Sequence, residues 1–316
     1  MSTAPLFRDP IYDGAADPTI IWNRDERAWW LVYTNRRANV PCLGVAWVHG
    51  SDLGIASSND GGATWMYRGI LEGLNYEPGR NTYWAPEILW HEGRYHMFVS
   101  YVPGVPQEWF GPRHMLHYTS ENLWAWQFES RLELSSNKVI DACVFRMPSG
   151  RWRMWYKDEA NSSHTYAADS DDLYHWQVAG PVITGFAHEG PNVFLWQHAY
   201  WMIVDRWQGQ AVFRSDDALS WTRQIDILGA SGTRADDGAI GRHADVLVQG
   251  DEAYIFYFTH PQEILGKHNP HDSAWPFEEK RTSLQVARLA YEGGVLACHR
   301  DEAVALGLRP LGDASL

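Results

Sequence analysis

Cysteines, basic residues and long apolar runs are all scarce in this sequence. Its 316 residues include three cysteines, too few and too scattered for a disulfide framework or a structural zinc site. Lys and Arg number 26 against 39 Asp and Glu, and the formal net charge of −13 argues against nucleic acid or an anionic membrane as the main partner. No apolar run approaches the roughly 18 residues of a membrane-spanning helix, so none is predicted.

Two further absences concern targeting and helices. The N-terminal residues lack a basic start followed by an apolar run, which predicts no secretory signal and a cytoplasmic protein. No segment combines a sustained helical apolar repeat with helix caps, so very little helix is expected. Hydrophobic residues nevertheless make up 45% of the chain, which is enough for a folded core.

Aromatic residues, by contrast, are abundant. The chain contains 18 Trp, 15 Tyr and 11 Phe, together 14% of its residues. Aromatic side chains favour β-strands, and their flat apolar faces stack well on sugar rings. The composition therefore indicates a β-rich protein and is compatible with a carbohydrate ligand.

A short turn motif occurs four times along the chain. In each copy a serine precedes an Asp or Asn and then a tryptophan; the copies are Ser58–Trp65, Ser120–Trp126, Ser170–Trp176 and Ser215–Trp221. The short polar side chains can bond the backbone of their own turn, while the tryptophan re-enters a strand and packs. We interpret these motifs as structural hairpins without a chemical role.

Five pairs of apolar runs, each pair divided by a turn, complete the repeat. They are Thr19–Trp22 with Trp29–Tyr33, Ile88–Trp90 with Tyr95–Val99, Ala142–Phe145 with Trp152–Tyr156, Val193–Trp196 with Tyr200–Val204, and Val246–Val248 with Ala253–Phe258. Their length and their β-branched and aromatic content are typical of strands. Two hairpins per unit in five units predict an all-β fold, a five-bladed β-propeller with four-stranded antiparallel blades, as one domain over residues 1–316. Leu284–Leu289 should close the fifth blade, and the polar insertion 261–280 is a candidate lid.

Ionisable residues recur where the first strand of each blade begins. They are Asp17, Glu87, Asp141, Glu189, and His243 with Asp245. Because the innermost strands of a propeller line its channel, we expect these side chains to converge on one channel mouth and to shift one another's pKa values. A ring of carboxylates among tryptophans suits hydrolysis of a glycosidic bond, which needs one protonated and one ionised carboxyl group.

The blade starts also carry a resemblance to a known family. Ala16-Asp17-Pro18, Trp84-Ala85-Pro86-Glu87, Ile140-Asp141 and Glu189-Gly190-Pro191 are similar, in this order, to the blade-start motifs of family 43 glycoside hydrolases and their five-bladed relatives. The resemblance spans residues 16 to about 258, although Asp141 is followed by Ala-Cys where the family more often has proline.

The resemblance implies an inverting mechanism and a role for each matching residue. Asp17 matches the general base that activates water, and Glu189 matches the general acid. Asp141 matches a third carboxylate, which raises the pKa of the acid and orients it. His243 matches a histidine near the channel axis that contacts water or a calcium ion.

Alternatives stay open for the base and for the acid. Asp9 and Asp13 lie close enough in the sequence to compete with Asp17. His188 is an alternative to Glu189, since some five-bladed relatives that act on algal sugars use a histidine acid; a structural histidine is the preferred interpretation. The remaining candidate substrate-binding residues are Trp84, Glu87, Lys157, Arg206, Trp207, Arg242, Asp245, Trp275 and Arg281.

The implied activity is hydrolysis of terminal sugars from oligosaccharides. α-L-Arabinofuranosides or β-D-xylosides are favoured, with galactose or anhydrogalactose sugars as an alternative. The histidines of segment 243–299 lack a His-x-His or His-x-x-x-His pair, so no catalytic metal and no required cofactor is predicted. A glycoside phosphorylase would need basic groups beside the channel, where Asp17 would repel phosphate. A non-catalytic sugar-binding propeller would have no use for the three carboxylates.

Overall fold

The computed structural model describes residues 4–262 and 275–311, which form five four-stranded antiparallel sheets arranged as a five-bladed β-propeller. The strands of blades I to V are, in chain order, β1 Ala15–Asn23, β2 Ala28–Asn35, β3 Asp52–Ser58, β4 Met66–Ile70; β5 Thr82–His91, β6 Arg94–Val102, β7 His114–Ser120, β8 Gln127–Arg131; β9 Val139–Arg146, β10 Trp152–Asp158, β11 His164–Ser170, β12 Gln177–Ile183; β13 Glu189–Trp196, β14 Ala199–Asp205, β15 Gln210–Ser215, β16 Thr222–Arg223; β17 Ala244–Gln249, β18 Glu252–Thr259, β19 Ser283–Glu292, β20 Val295–Cys298. Helix in the described part of the chain is limited to one 3₁₀ turn, Glu159–Asn161, and one short α-helix, Phe277–Lys280. The predicted fold is confirmed.

Each blade packs on both of its faces, which explains the near-continuous apolar runs. In β2, Trp29, Leu31 and Tyr33 join an apolar cluster with β18 of blade V. The alternate residues Trp30 and Val32 face blade II. Because successive strand side chains point to opposite faces, a strand between two neighbouring blades must be apolar at nearly every position.

The four tryptophan motifs lie between the third and fourth strands of blades I to IV, as predicted. In blade I the Ser58 hydroxyl donates to Asp60, and Asp60 accepts from the backbone of Thr64. The Trp65 indole donates to the Gly62 carbonyl at 3.1 Å. These local bonds satisfy the polar groups of the turn and return the chain to the sheet.

Segments near both ends of the chain join the first and last blades. The backbone of Phe7 pairs with Leu284 of β19, the strand predicted to close blade V. Leu306 and Leu308 pack in the cluster between blades V and I, and the Leu308 amide donates to Gly61. Ring closure removes the open edges that an isolated stack of sheets would expose.

Two expectations concern segments rather than strands. No helix within residues 4–262 and 275–311 has the length and apolar character needed to span a membrane. The candidate lid, residues 261–280, falls largely on residues 263–274, which lie outside the described residues.

Candidate active site

A cavity of about 320 Å³ opens at one mouth of the channel, and all five blades contribute to its lining. Its volume lies near the lower end of the range for small-molecule sites. The charged, histidine and tryptophan side chains that line it are Asp17, Arg36, Trp47, Trp84, Trp109, Asp141, Lys157, Glu159, Glu189, Trp207, Arg242, His243, His260, Trp275 and Glu279. The mouth is the end where each first strand begins and each second strand ends.

A β-bulge in four of the five inner strands sets which side chains enter the cavity. Its first residue is Asp17, Ala85, Asp141 or Gly190 in blades I to IV, each with a positive φ between 44° and 60°. A bulge adds one residue to a strand and redirects its side chains. Aspartate tolerates this left-handed conformation better than most residues, which fits its use in two of the four bulges. Glu189 lies one residue before the bulge of its own strand.

Glu87 and Asp245 do not share this level, and their expected place at the channel mouth is wrong. They lie deeper, in a channel ring that also contains Thr19, Cys143 and Asn192, around a separate cavity. The Glu87 carboxylate accepts from the Val144 amide of the next blade at 2.7 Å, and Asp245 accepts from the Ile20 amide at 2.9 Å. Burial raises the pKa of both carboxyl groups. These residues therefore link neighbouring blades.

Asp17 is held by a guanidinium and lies beside an imidazole. Arg36, directly after β2, donates to both Asp17 carboxylate oxygens at 3.1 Å. The Arg36 guanidinium carbon lies 4.6 Å from the centre of the Phe258 ring. Nδ1 of His243 is 3.8 Å from the nearer Asp17 oxygen. Asp17, which matches the general base of the family, is thus fixed in orientation and nearly fully buried.

The pKa values of Asp141 and Glu189 are shifted in opposite directions. Burial, opposed by His243 and reinforced by the Glu189 charge, raises the pKa of Asp141 to about 7. Burial also works against ionised Glu189, but Lys157 lies 3.0 Å from its carboxylate and lowers its pKa to about 2. Burial and the Glu189 charge therefore favour the neutral form of Asp141, and Lys157 favours the ionised form of Glu189.

His243 and the buried Asp205 complete the charged layer. Burial disfavours the imidazolium, yet the charges of Asp141, Asp17 and other carboxylates outweigh it and raise the His243 pKa. Asp205, at the end of β14, accepts from the backbone amides of His243 at 2.9 Å and Trp207 at 2.7 Å. Burial raises the Asp205 pKa to about 6. It therefore positions both neighbouring residues, and no sequence pattern singled it out.

Indole rings form much of the cavity wall. Trp84, Trp207 and Trp275, named from the sequence, all line it. The Trp84 indole donates to the Val48 carbonyl at 2.7 Å, and Lys157 Nζ lies 5.2 Å from the centre of the Trp207 ring. These anchored rings offer rigid apolar faces of the kind that stack on sugars.

Three candidate substrate-binding residues do not belong to this cavity. Arg206 pairs with Asp226 at 2.7 Å, and Arg281 pairs with Asp236 at 2.6 Å. His188 is fully buried: its Nε2 accepts from the Thr165 amide, and its Nδ1 lies 3.0 Å from the Phe186 carbonyl. Burial lowers its pKa to about 4. These contacts favour the structural interpretation of His188, and none of the three side chains lines the cavity.

Several lining residues escaped the sequence reasoning. They are Arg36, Trp47, Trp109, Glu159, His260 and Glu279. All lie in connections that follow the second strand of a blade, and these connections are long in blades I, II and V: residues 36–51, 103–113 and 260–282. Loop length after each second strand was the available signal, because those loops emerge at the same mouth as the inner-strand acids.

The described residues do not favour a metal centre. Within residues 4–262 and 275–311, no group of three or more His, Cys, Asp or Glu side chains is arranged to hold a metal ion. Of the carboxylates around His243, Asp17 pairs with Arg36 and Glu189 pairs with Lys157. The calcium ion implied near His243 stays a prediction, and no chemical step is assigned to it.

The fold is similar to that of solved glycoside hydrolases of family 43. A thermostable family-43 glycoside hydrolase is 18% identical, with a TM-score of 0.70 over 97% of this chain and 99% of that chain. A family-43 β-xylosidase/α-arabinofuranosidase from a compost microbial metagenome, in complex with xylotriose and calcium-free, is 14% identical, with a TM-score of 0.66 over 94% and 96%. A family-43 β-1,3-galactosidase with galactodeoxynojirimycin is 13% identical, with a TM-score of 0.65 over 94% and 98%. No protein-family model and no curated protein matches the sequence. At these identities the likeness establishes the shared fold.

Proposed function

We propose that this chain is a glycoside hydrolase that releases terminal sugar residues from oligosaccharides with inversion of the anomeric centre. The observation that carries the proposal is the convergence of Asp17, Asp141 and Glu189 on one indole-lined cavity. A propeller alone hosts many functions, so the site and not the fold is the argument. The family-43 neighbours, named as a β-xylosidase/α-arabinofuranosidase and a β-1,3-galactosidase, support a neutral sugar as substrate.

In this mechanism Asp17 removes a proton from the attacking water. Its ion pair with Arg36 fixes the carboxylate in orientation toward the cavity. The water attacks the anomeric carbon, the bond to the leaving-group oxygen breaks, and that oxygen takes up a proton. Each cycle transfers one proton from water to Asp17 and one from the acid to the leaving group.

The proton for the leaving group comes from the Asp141–Glu189 pair. Glu189 donates it in the mechanism implied by the family resemblance, which requires Glu189 to be protonated when substrate is bound. The raised pKa of Asp141 favours a second assignment, in which Asp141 donates directly. The histidine-acid alternative has no support, because both His188 nitrogens are engaged within the blade.

The substrate is best identified with nitrophenyl glycosides. α-L-Arabinofuranoside and β-D-xyloside are the favoured members, and β-D-galactoside is the third. We expect hydrolysis of one of them, with proton NMR showing the inverted anomer first. Release of the retained anomer would contradict inversion, and turnover that requires phosphate would indicate a phosphorylase. Oligosaccharide binding without any turnover would indicate a binding propeller.

Three variants assign the carboxylates. Asp17→Asn should slow all substrates, by about 10²–10⁴-fold. The variant that removes the true proton donor, Glu189→Gln or Asp141→Asn, should slow natural oligosaccharides far more than activated aryl glycosides, whose leaving groups need little protonation. Asp216→Asn, at an exposed ion pair with Arg214, is the matched control.

A further inference from the structure

Two adjacent aromatic residues stand exposed at the rim of the cavity. Trp109 and Phe110, in the connection between β6 and β7, are 47% and 65% exposed. Trp109 lines the cavity, and its ring centre lies 6.3 Å from that of Trp84 and 5.8 Å from that of His49. The half-exposed indole therefore extends the aromatic wall of the cavity toward solvent.

A fully buried arginine holds this part of the chain in place. Arg113 donates from Nη2 to the Trp109 carbonyl at 2.9 Å and from Nη1 to the Gly111 carbonyl at 3.0 Å. Its third nitrogen, Nε, lies 2.8 Å from the Glu159 carboxylate. A buried guanidinium that engages both the loop backbone and a carboxylate restricts the position of Trp109.

The contacts continue from this arginine to the pair that supplies the proton. Lys157 Nζ lies 3.3 Å from Glu159 and 3.0 Å from Glu189. The loop carbonyls, Arg113, Glu159, Lys157 and Glu189 are thus joined by one series of charged contacts. Asp17 lies outside this series and is paired with Arg36 instead.

We propose that the 103–112 loop is the subsite for the sugar ring on the leaving-group side of the cleaved bond, with Trp109 as its stacking surface and with Arg113 and Glu159 as positioning residues. This inference rests on the proposed function, because the acid protonates the leaving-group oxygen and the loop is tied to the acid's side of the cavity. The ligand is a neutral pyranose ring, because an indole stacks on the C–H face of such a ring. Arg113, which anchors the loop, is buried and bonded to the loop backbone, so it does not offer a positive charge to an acidic sugar.

The test compares the affinity of a trisaccharide with that of its monosaccharide. Titration calorimetry on Asp17→Asn protein uses xylotriose against xylose and β-1,3-galactotriose against galactose. For at least one pair we expect tighter binding of the trisaccharide, and Trp109→Ala should lower that affinity ratio by about tenfold. Tyr291→Ala, which removes an exposed aromatic from the outer part of blade V, is the matched control and should keep the ratio.

The positioning residues have a separate readout. Glu159→Gln weakens the attachment of Arg113 and should lower the same ratio, with partial recovery in Glu159→Asp. Equal loss of affinity for both sugars would indicate a general structural effect and overturn the positioning role. A ratio near one in Asp17→Asn protein with both sugar pairs, or a ratio that Trp109→Ala leaves intact, overturns the subsite.

The binding test separates this inference from the proposed function. Hydrolysis by the wild-type chain without a trisaccharide advantage would keep the enzyme and remove the subsite. A trisaccharide advantage that depends on Trp109, without hydrolysis of any glycoside, would keep the sugar-binding loop, remove the enzymatic function and overturn the leaving-group assignment.

Discussion

Asp141→Asn should stabilise the folded chain at alkaline pH while impairing its proposed catalysis. The substitution removes a carboxyl group whose ionised form is disfavoured by burial and by the charges of Glu189 and Asp17, and only partly stabilised by His243 and Lys157. Asparagine keeps the local structure, because its side-chain oxygen can still accept from the Gly190 amide, now bonded to Asp141 at 3.1 Å. It also tolerates the positive φ of 60° at this position.

The magnitude follows from the pKa of Asp141. A folded pKa of about 7 against an ordinary value of 3.8 means that this group favours the folded state fully below pH 3.8 and that the benefit is lost as pH rises through 7. Above pH 7 the folded chain is therefore less stable, by about 4 kcal/mol, than it would be with a neutral side chain at this position. With an unfolding entropy of about 2.1 cal/mol/K per residue, the variant should unfold roughly 6 °C higher than wild type at pH 8.

Calorimetric melting of both proteins between pH 4 and pH 8 measures this difference. The two melting temperatures should agree near pH 4 and separate as pH rises, while hydrolysis by the variant falls. Asp216→Asn, whose carboxylate is 79% exposed, should show no such separation. A variant that melts at or below the wild-type temperature at pH 8, or a pH-independent difference, would refute the electrostatic account of Asp141.

Three further predictions concern residues around and below the cavity. Lys157→Met removes the ammonium that keeps Glu189 ionised, so urea unfolding at pH 7 should show a free energy of unfolding lower by about 3–5 kcal/mol. This loss should shrink toward pH 2, where Glu189 gains its proton in wild type as well. A loss of equal size at both pH values would argue against the pairing. Glu87→Gln keeps an acceptor for Val144 and removes a buried carboxyl group of raised pKa. Unfolding of the variant at pH 8 should therefore require more urea, and hydrolysis should persist. Inactivation at unchanged stability would indicate that Glu87 binds substrate. His188→Ala should lower the unfolding free energy by about 1–3 kcal/mol through its lost hydrogen bonds, with turnover per folded molecule retained; abolished turnover in a stable variant would restore the histidine acid.

The blade architecture was readable from the sequence because its causes are local. Apolar runs such as Trp29–Tyr33 alternate between two buried faces, and the serine–tryptophan motifs close turns with bonds inside a few residues. Five such units in order leave few arrangements other than a closed ring. The convergence of Asp17, Asp141, Glu189 and His243 followed from the same logic, because equivalent starts of inner strands meet at one mouth.

The register within each inner strand was not readable in this way. Trp84-Ala85-Pro86-Glu87 contains a carboxylate at its end, but the bulge places Ala85, not Glu87, at the level of Asp17 and Asp141. A bulge changes side-chain direction after a single extra residue. Glu87 therefore points into the channel ring and bonds the next blade.

The protonation of the site depended on tertiary structure alone. Lys157 lies on the strand next to β9, and only the propeller brings its ammonium within 3.0 Å of Glu189 in the next blade. Without that contact, burial and like charge would raise the pKa of Glu189, as expected from the sequence. The contact with Lys157 lowers the Glu189 pKa instead, while burial raises the pKa of Asp141. Coulomb interactions at 3 Å act between residues far apart in the chain, so composition and motif order carry no information about their sign or strength.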